Sequence, residues 1–177
     1  METQGGKYLT FLLDEEKYGI PIKKVKEIIG MTEITDIPKT PIYIKGIVNL
    51  PGKVIPLMDL RLKLGMGEKP YNDGVCIIVI EVHLTETQRL VGMVVDAVAD
   101  VVKIQKADIE PPPEYNVQSK GDVVTGISKL KDKIILILDI EKIFNRDELI
   151  RMEEKYLSGN ENEHEQDTVV ESMQIVD

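Results

Sequence analysis

The chain has 177 residues, 42% hydrophobic and 30% charged, with a formal charge of −9 at neutral pH. A chain of this length buries roughly 70% of its unfolded surface and needs no covalent staple; its one cysteine, Cys76, excludes an intrachain disulfide and favours the cytoplasm. Residues 158–177 hold six acids and no Lys or Arg, so residues 1–157 carry only −3, which excludes the basic stripe a nucleic-acid binder needs.

That acidic end is read as a flexible, solubilising tail. No secretory leader is expected, and the longest apolar run, CIIVI, falls far short of the ~20 residues a membrane helix requires, so no membrane insertion is expected.

In chain order, YLTFLL (8–13) predicts a strand closed by a polar turn at Asp14-Glu15-Glu16, and residues 17–20 return as the second arm of a hairpin. Pro21 ends that arm because it has no N–H for the sheet ladder. Ile22, Val25, Ile28 and Ile29 then recur at helical spacing, which predicts a short amphipathic helix or an irregular strand. A short strand is expected over 34–37, stopped by Pro38 and Pro41. Residues 44–50 and 53–58 form a second hairpin, whose corner Leu50-Pro51-Gly52-Lys53 suits a type II turn. Asp59 is placed to cap one helical turn over Leu60–Leu64.

The second half restarts with 75–82, an unbroken apolar run that reads as a strand buried on both faces. Residues 89–95 pair with it across a loop at 83–88. DAVADVV (96–102) echoes the earlier helical stretch, and Pro111-Pro112-Pro113 forces an extended connector. Residues 123–129 and 133–138 form a last hairpin, with Asp139 placed like Asp59. Asn145 with Glu148 makes a capping-box variant ahead of Leu149, Met152, Tyr156 and Leu157, predicting a C-terminal helix over 145–157.

The chain repeats itself. At a shift of 80, Gly46/Gly126, Ile47/Ile127, Leu50/Leu130, Lys53/Lys133, Ile55/Ile135 and Asp59/Asp139 coincide; at a shift of 73, Gly19/Gly92 coincide and Val25/Val98 and Ile28/Val101 correspond. Each half therefore reads as about five short strands with one short helical segment. Short strands at this spacing close into small barrels or sandwiches. Two pseudo-repeated barrels on a shared core explain why VCIIVIEV and KIILILDI have no polar face.

Catalytic chemistry is hard to find. His83 and His164 are isolated, and no HExxH, CxxC, GxSxG, P-loop or GxGxxG occurs, so neither a metal nor a nucleotide cofactor is expected. Cys76, between Val and Ile, reads as a buried inert thiol. Asp59 and Asp139 could be paired carboxylates, but capping accounts for both. Gly46 and Gly126 lie inside strands, where Gly marks a bulge or a close backbone approach. Core packing is the first expectation for Val25 and Val98, and partner contact the second.

YGIPIKKVKEII, PIYIKGIVNLPGKVIPLMDLR, RLVGMVVDAVADVVKI, IEPPPEY and LILDIEKIF, in that order, resemble the bacterial chemotaxis coupling protein family, CheW, from about Lys7 to Glu148. No receiver domain or kinase core accompanies them, so a stand-alone coupling protein fits best. The resemblance implies two five-stranded SH3-like barrels on a shared hydrophobic core, within a single domain over 1–157. The barrels are expected at about 15–64 and 75–139, completed by the N-terminal strand 7–13 and the C-terminal helix. It implies a non-catalytic adaptor in the cytoplasm. The cytoplasmic tips of chemoreceptors (methyl-accepting chemotaxis proteins) would bind in the groove between the barrels. The regulatory domain of the histidine kinase CheA would pack against the barrel ends. The family's partner-binding positions fall on Val25, Glu27 and Gly46 in the first barrel and Val98 and Val101 in the second. At Pro51 the chain departs from the family, which usually has Arg there; the turn is kept and the charge lost, which suggests a shifted receptor partner or compensation by Lys45 or Lys53. The alternatives are an adaptor of a non-flagellar chemosensory array and a small-molecule-binding or enzymatic domain using the groove.

Overall fold

The computed structural model describes residues 4–83, 86–112, 123–144 and 146–152. The expected Asn145 cap, the helix end at Leu157, the tail over 158–177 and the connector beyond Pro112 lie outside the described residues. Two compact units divide after Ile143. In the second, the described helix Arg146–Met152 carries Asp147 and Glu148 in its first turn and Arg151 in its last, which complements its dipole.

The first unit opens with the hairpin β1 (Gly6–Leu13) and β2 (Glu16–Pro21), followed by a 3-10 turn at Ile22–Lys24 and β3 (Val25–Gly30). β4 (Ile44–Leu50) and β5 (Lys53–Asp59) lead into α1 (Leu60–Lys63). The pattern then restarts with β6 (Cys76–His83), β7 (Gln88–Val95) and β8 (Ala97–Ile104), a 3-10 turn at Lys106–Asp108 and the two-residue β9 (Ile109–Glu110). β10 (Val124–Leu130), β11 (Lys133–Leu138) and α2 (Ile140–Ile143) complete it.

The strands form two sheets. One has the order β8-β1-β2-β11-β10-β9 and the other β3-β6-β7-β5-β4. In the first, β8 runs through the 3-10 turn into β9, so the two ends of the sheet are one stretch of chain and the sheet closes. In the second, the chain beyond β3 returns to β4 at the Thr35–Ile47 bridge and closes it likewise. Two small barrels result, a terminal one (β1, β2, β8–β11) and a central one (β3–β7). Joining the sheet ends in this way shortens the free edges that would invite aggregation.

The repeat is thus expressed with an exchange. The barrels do not follow the expected division at about 15–64 and 75–139: the central barrel takes β6 and β7 from the second half, and the terminal barrel takes β1 and β2 from the first. Two parallel seams decide this. Gly19 of β2 lies opposite Ile137 of β11, and Gly92 of β7 lies opposite Leu57 of β5. Both glycines are there for close approach. A Cβ on Gly92 would fall 2.9 Å from Leu57 Cδ1 and 3.0 Å from Ile77, and one on Gly19 would fall 3.2 Å from Ile135.

Of the two readings of 22–29, the irregular strand is the one observed, and its echo at 96–102 is a strand as well. Only Ile22–Lys24 turns, and β3 and β8 are extended with a register shift in each, between Val25 and Glu27 in β3 and opposite Leu9/Phe11 in β8. A bulge adds one residue to a strand, so apolar positions that would recur every two residues recur after three, as Val25/Ile28 and Val98/Val101 do. That spacing mimics one helical turn. The strand expected over 34–37 is reduced to the single Thr35 bridge. The hairpin corners differ between repeats. Gly52, at φ +80°, completes the type II turn after Pro51, whereas Lys131 and Asp132 both adopt left-handed conformations, at φ 49° and 65°, as a type I′ turn demands. Asp59 caps α1 as expected, its Oδ1 accepting from Leu62 N at 3.3 Å; Asp139 Oδ1 accepts from Glu141 N at 2.9 Å.

Each barrel has its own filling. Val48, Leu50, Ile55, Leu57, Ile77 and Val79 pack inside the central one, and Tyr8, Ile104, Ile135 and Ile137 inside the terminal one. The opposite faces of β1 (Leu9, Phe11, Leu13) and β6 (Ile78, Ile80, Val82) are buried too. Since successive side chains alternate faces, these outward residues form the layer through which the barrels pack on each other. Each such side chain stabilises the assembly by about 1.5–3 kcal/mol.

Candidate protein-interaction site

The six residues singled out in the sequence fall in four places. Val25 and Glu27 lie on β3, the first half-buried and the second exposed; Val98 and Val101 lie on β8, again half-buried and exposed. Gly46 is buried in β4, and Pro51 is exposed at the β4–β5 corner. Val25, Glu27, Gly46 and Pro51 share the central barrel, and Val98 and Val101 belong to the terminal one.

β3 and β8 are counterparts. Among the described residues each pairs on one side only, with β6 and β1 respectively, and each carries its bulge at the same repeat position. Val25 faces Ile80 as Val98 faces Phe11. One turn of the pattern later stand Ile28, 45% exposed, and Val101, 52% exposed. Two apolar side chains left in water at equivalent positions of two barrels are a surface feature to be explained. Ile28 was absent from the expected contact set, although its match to Val101 at a shift of 73 was the available signal.

The bulges carry counterpart carboxylates, Glu27 and Asp100, which are differently engaged. Asp100 accepts from the Thr10 hydroxyl and lies 3.6 Å from Lys17. The Thr10 bond, then Lys17, hold its carboxyl below the usual carboxylate range. Glu27 has no such tie among the described residues. Nearby, Lys26 pairs with Glu81 at 2.8 Å and holds its carboxyl low.

Gly46 has a structural task. At φ +141° it sits in the β4–β5 bulge, and a Cβ there would fall 2.1 Å from Thr35 O. Its hydrogen atom is what lets the barrel close. Lys45, a candidate to replace the missing Arg charge, reaches Glu68 at 3.0 Å.

Around α1 lies a polar cluster. Arg61, its side chain 7% exposed, donates through Nη1 to Asp14 Oδ1 at 2.7 Å and Asp96 Oδ2 at 2.9 Å, and through Nε to Gly67 O at 3.2 Å. Lys69 also pairs with Asp14, and these bonds, Lys69 first, hold the Asp14 carboxyl low. Tyr71 donates to Asp59 Oδ2 at 2.7 Å; burial and this bond push its hydroxyl pKa far up. Burial likewise raises the Cys76 thiol, the opposite of what a nucleophile needs. Among the described residues, no three His, Cys, Asp or Glu side chains gather as metal ligands, and no helix is long and apolar enough to cross a membrane.

Comparison with known proteins gives this surface a context. Residues 7–148 match the family model of the CheW-like domain. The chain is 38% identical over 148 residues to the chemotaxis protein CheW of Klebsiella aerogenes, covering 84% of this chain and 87% of that one. It is 32% identical over 144 residues to CheW of Bacillus subtilis, covering 81% and 89%. Among solved structures, the scaffolding protein TtCheW from Thermoanaerobacter tengcongensis superposes with a TM-score of 0.71 at 38% identity, covering 80% of this chain and 94% of that chain.

Proposed function

The chain belongs to the CheW-like domain family, and from that premise we propose that it is a non-catalytic chemotaxis adaptor in the cytoplasm, coupling the cytoplasmic tips of chemoreceptors to the histidine kinase CheA. The observation that carries this reading is the pair of counterpart faces on β3 and β8, each presenting a half-buried Val and an exposed aliphatic residue beside a bulge carboxylate. A molecule that joins two others needs two docking faces, and a receptor helix laid on such a strand wants apolar anchors with a charged rim. The rim carboxylate Glu27 sets partner choice and on-rate more than affinity. Signal passes as a coupling free energy between the two interfaces. Pro51 stands where the resemblance implies an Arg, so the receptor that fits this chain either needs no cation at that corner or finds it at Lys45 or Lys53.

The test is titration of the purified chain with a receptor cytoplasmic fragment and with a CheA regulatory domain, followed by receptor-stimulated kinase assay. Val101→Asp and Ile28→Asp should each weaken one partner about 30-fold, a loss of about 2 kcal/mol that is typical of an interface anchor, and leave melting nearly unchanged because both positions are exposed. Wild-type protein that binds neither partner, or kinase that ignores its addition, would overturn the proposal. Pro51→Arg should leave receptor affinity within about twofold or raise it, as expected for a rim charge; a strong loss would identify the Pro itself as the contact.

A further inference from the structure

Each proposed docking strand is registered along one side among the described residues, β3 on β6 and β8 on β1, and a side-chain contact adds to the hold on its first residues. For β8 that contact is made by Asp96, the residue just before it. Its N–H donates to Leu12 O at 3.1 Å, and its Oδ2 accepts from Asp14 N at 2.7 Å and from Arg61 at 2.9 Å. Arg61 comes from α1, which follows the last strand of the chain's first half and caps the central barrel, while Asp14 and β8 belong to the terminal barrel. The guanidinium therefore spans the two barrels and grips the start of the strand that bears Val98 and Val101.

The repeat supplies a counterpart with inverted charge. At a shift of 80, Arg61 corresponds to Glu141 on α2. Glu141 reaches back to the central barrel, lying 3.4 Å from Lys24, the residue just before β3, and accepting from His83 N at the end of β6 at 3.4 Å. One helix sends a cation to the start of β8, and the other sends an anion to the start of β3. The two differ in grip. Arg61 is buried and bonded to two carboxylates and a carbonyl, whereas Glu141 is 36% exposed with longer contacts. Buried charge-assisted bonds hold geometry, and exposed pairs contribute little.

We infer that Arg61 is a positioning residue that fixes β8, and with it the Val98/Val101 face, in docking register, and that Glu141 is its weak counterpart, leaving the β3 face compliant. The effect on partner binding rests on the adaptor reading above; the effect on β8 itself does not. Arg61→Gln, Asp96→Asn and Glu141→Gln in the full chain, followed by hydrogen exchange of backbone amides and by titration with the receptor fragment and the kinase regulatory domain, test it.

Arg61→Gln should speed exchange over Ala97–Val101 about tenfold or more relative to β3, as local opening predicts. It should also weaken the partner that Val101→Asp weakens by about tenfold, with Arg61→Lys restoring part of the loss. Asp96→Asn should loosen β8 while leaving the Arg61–Asp14 pair in place, and it keeps the test open if Arg61→Gln fails to fold. Glu141→Gln should leave β8 exchange as in the wild type. Unchanged β8 exchange in the Arg61 and Asp96 variants, or equal acceleration of β3 and β8, overturns the inference. Wild-type protein that binds neither partner defeats the adaptor reading, and the exchange measurements then still decide the role of Arg61.

Discussion

Replacing Gly46 by Ala probes how the central barrel closes. Gly46 has φ +141°, and the new Cβ would lie 2.1 Å from Thr35 O and 2.9 Å from Thr35 C, both backbone atoms that no rotamer change can move. Relief requires either the bulge or the Thr35 segment to shift, and Thr35 is what joins the barrel's ends, through Thr35 N to Ile47 O at 2.9 Å and Ile47 N to Thr35 O at 2.8 Å. A non-glycine residue held in such a conformation costs about 1–3 kcal/mol, and losing two backbone bonds adds about 1 kcal/mol each. The expected loss is about 3–5 kcal/mol, which lowers the melting temperature by roughly 10 °C or more for a unit of this size. Urea and thermal melts read it, and exchange of the Ile47 amide reports the seam directly. A melt within about 2 °C of wild type would refute the reasoning, since it corresponds to less than about 1 kcal/mol. By the same logic, a loss of partner binding in Gly46→Asp that comes with an early melt would arise from an opened seam, whereas the same loss without unfolding would make Gly46 part of the contact.

Ser128→Val should stabilise the chain by about 1–3 kcal/mol in a urea melt, because the fully buried Ser128 hydroxyl has no hydrogen-bond partner among the described residues and its repeat counterpart, Val48, fills the other barrel; an unchanged or lower midpoint would show that the site cannot accept the added methyl. Ile135→Asp places a charge at a 2% exposed position in the filling of the terminal barrel and should cost several kcal/mol. A near-wild-type melt would refute that. Acid should destabilise with a defined sign. Asp14, Asp100 and Glu81 all have depressed native pKa values, so their contribution is complete above about pH 4, the ordinary carboxylate range, and is lost as pH falls through the lower native values. Melting temperature should hold from pH 7 to about 5 and fall below about 4, with a shallower fall in Asp14→Asn; an identical slope would remove Asp14 from the account.

Local chemistry written into neighbouring residues was legible in the sequence. The hairpin corner at Pro51-Gly52, the cap at Asp59 and the doubled hairpin-and-cap phrase each depend on residues a few positions apart, so the pattern carries them directly. So did the motifs that resemble the family. The choice between helix and irregular strand at 22–29, and at its echo 96–102, stayed open because a bulge turns a two-residue alternation into a three-residue one, and only the partner strand reveals the extra residue.

What the amino-acid order determined by itself was that there are two copies of one β-rich plan. Tertiary structure alone decided how the copies share strands. Nothing local distinguishes β2 pairing with β11 from β2 pairing with β5; the choice rests on contacts such as Gly19 with Ile137, between residues far apart in the chain. The same holds for Arg61, whose partners Asp14 and Asp96 come from two distant turns. Its charge is legible in one letter, but what that charge holds together exists only once the barrels have exchanged their strands.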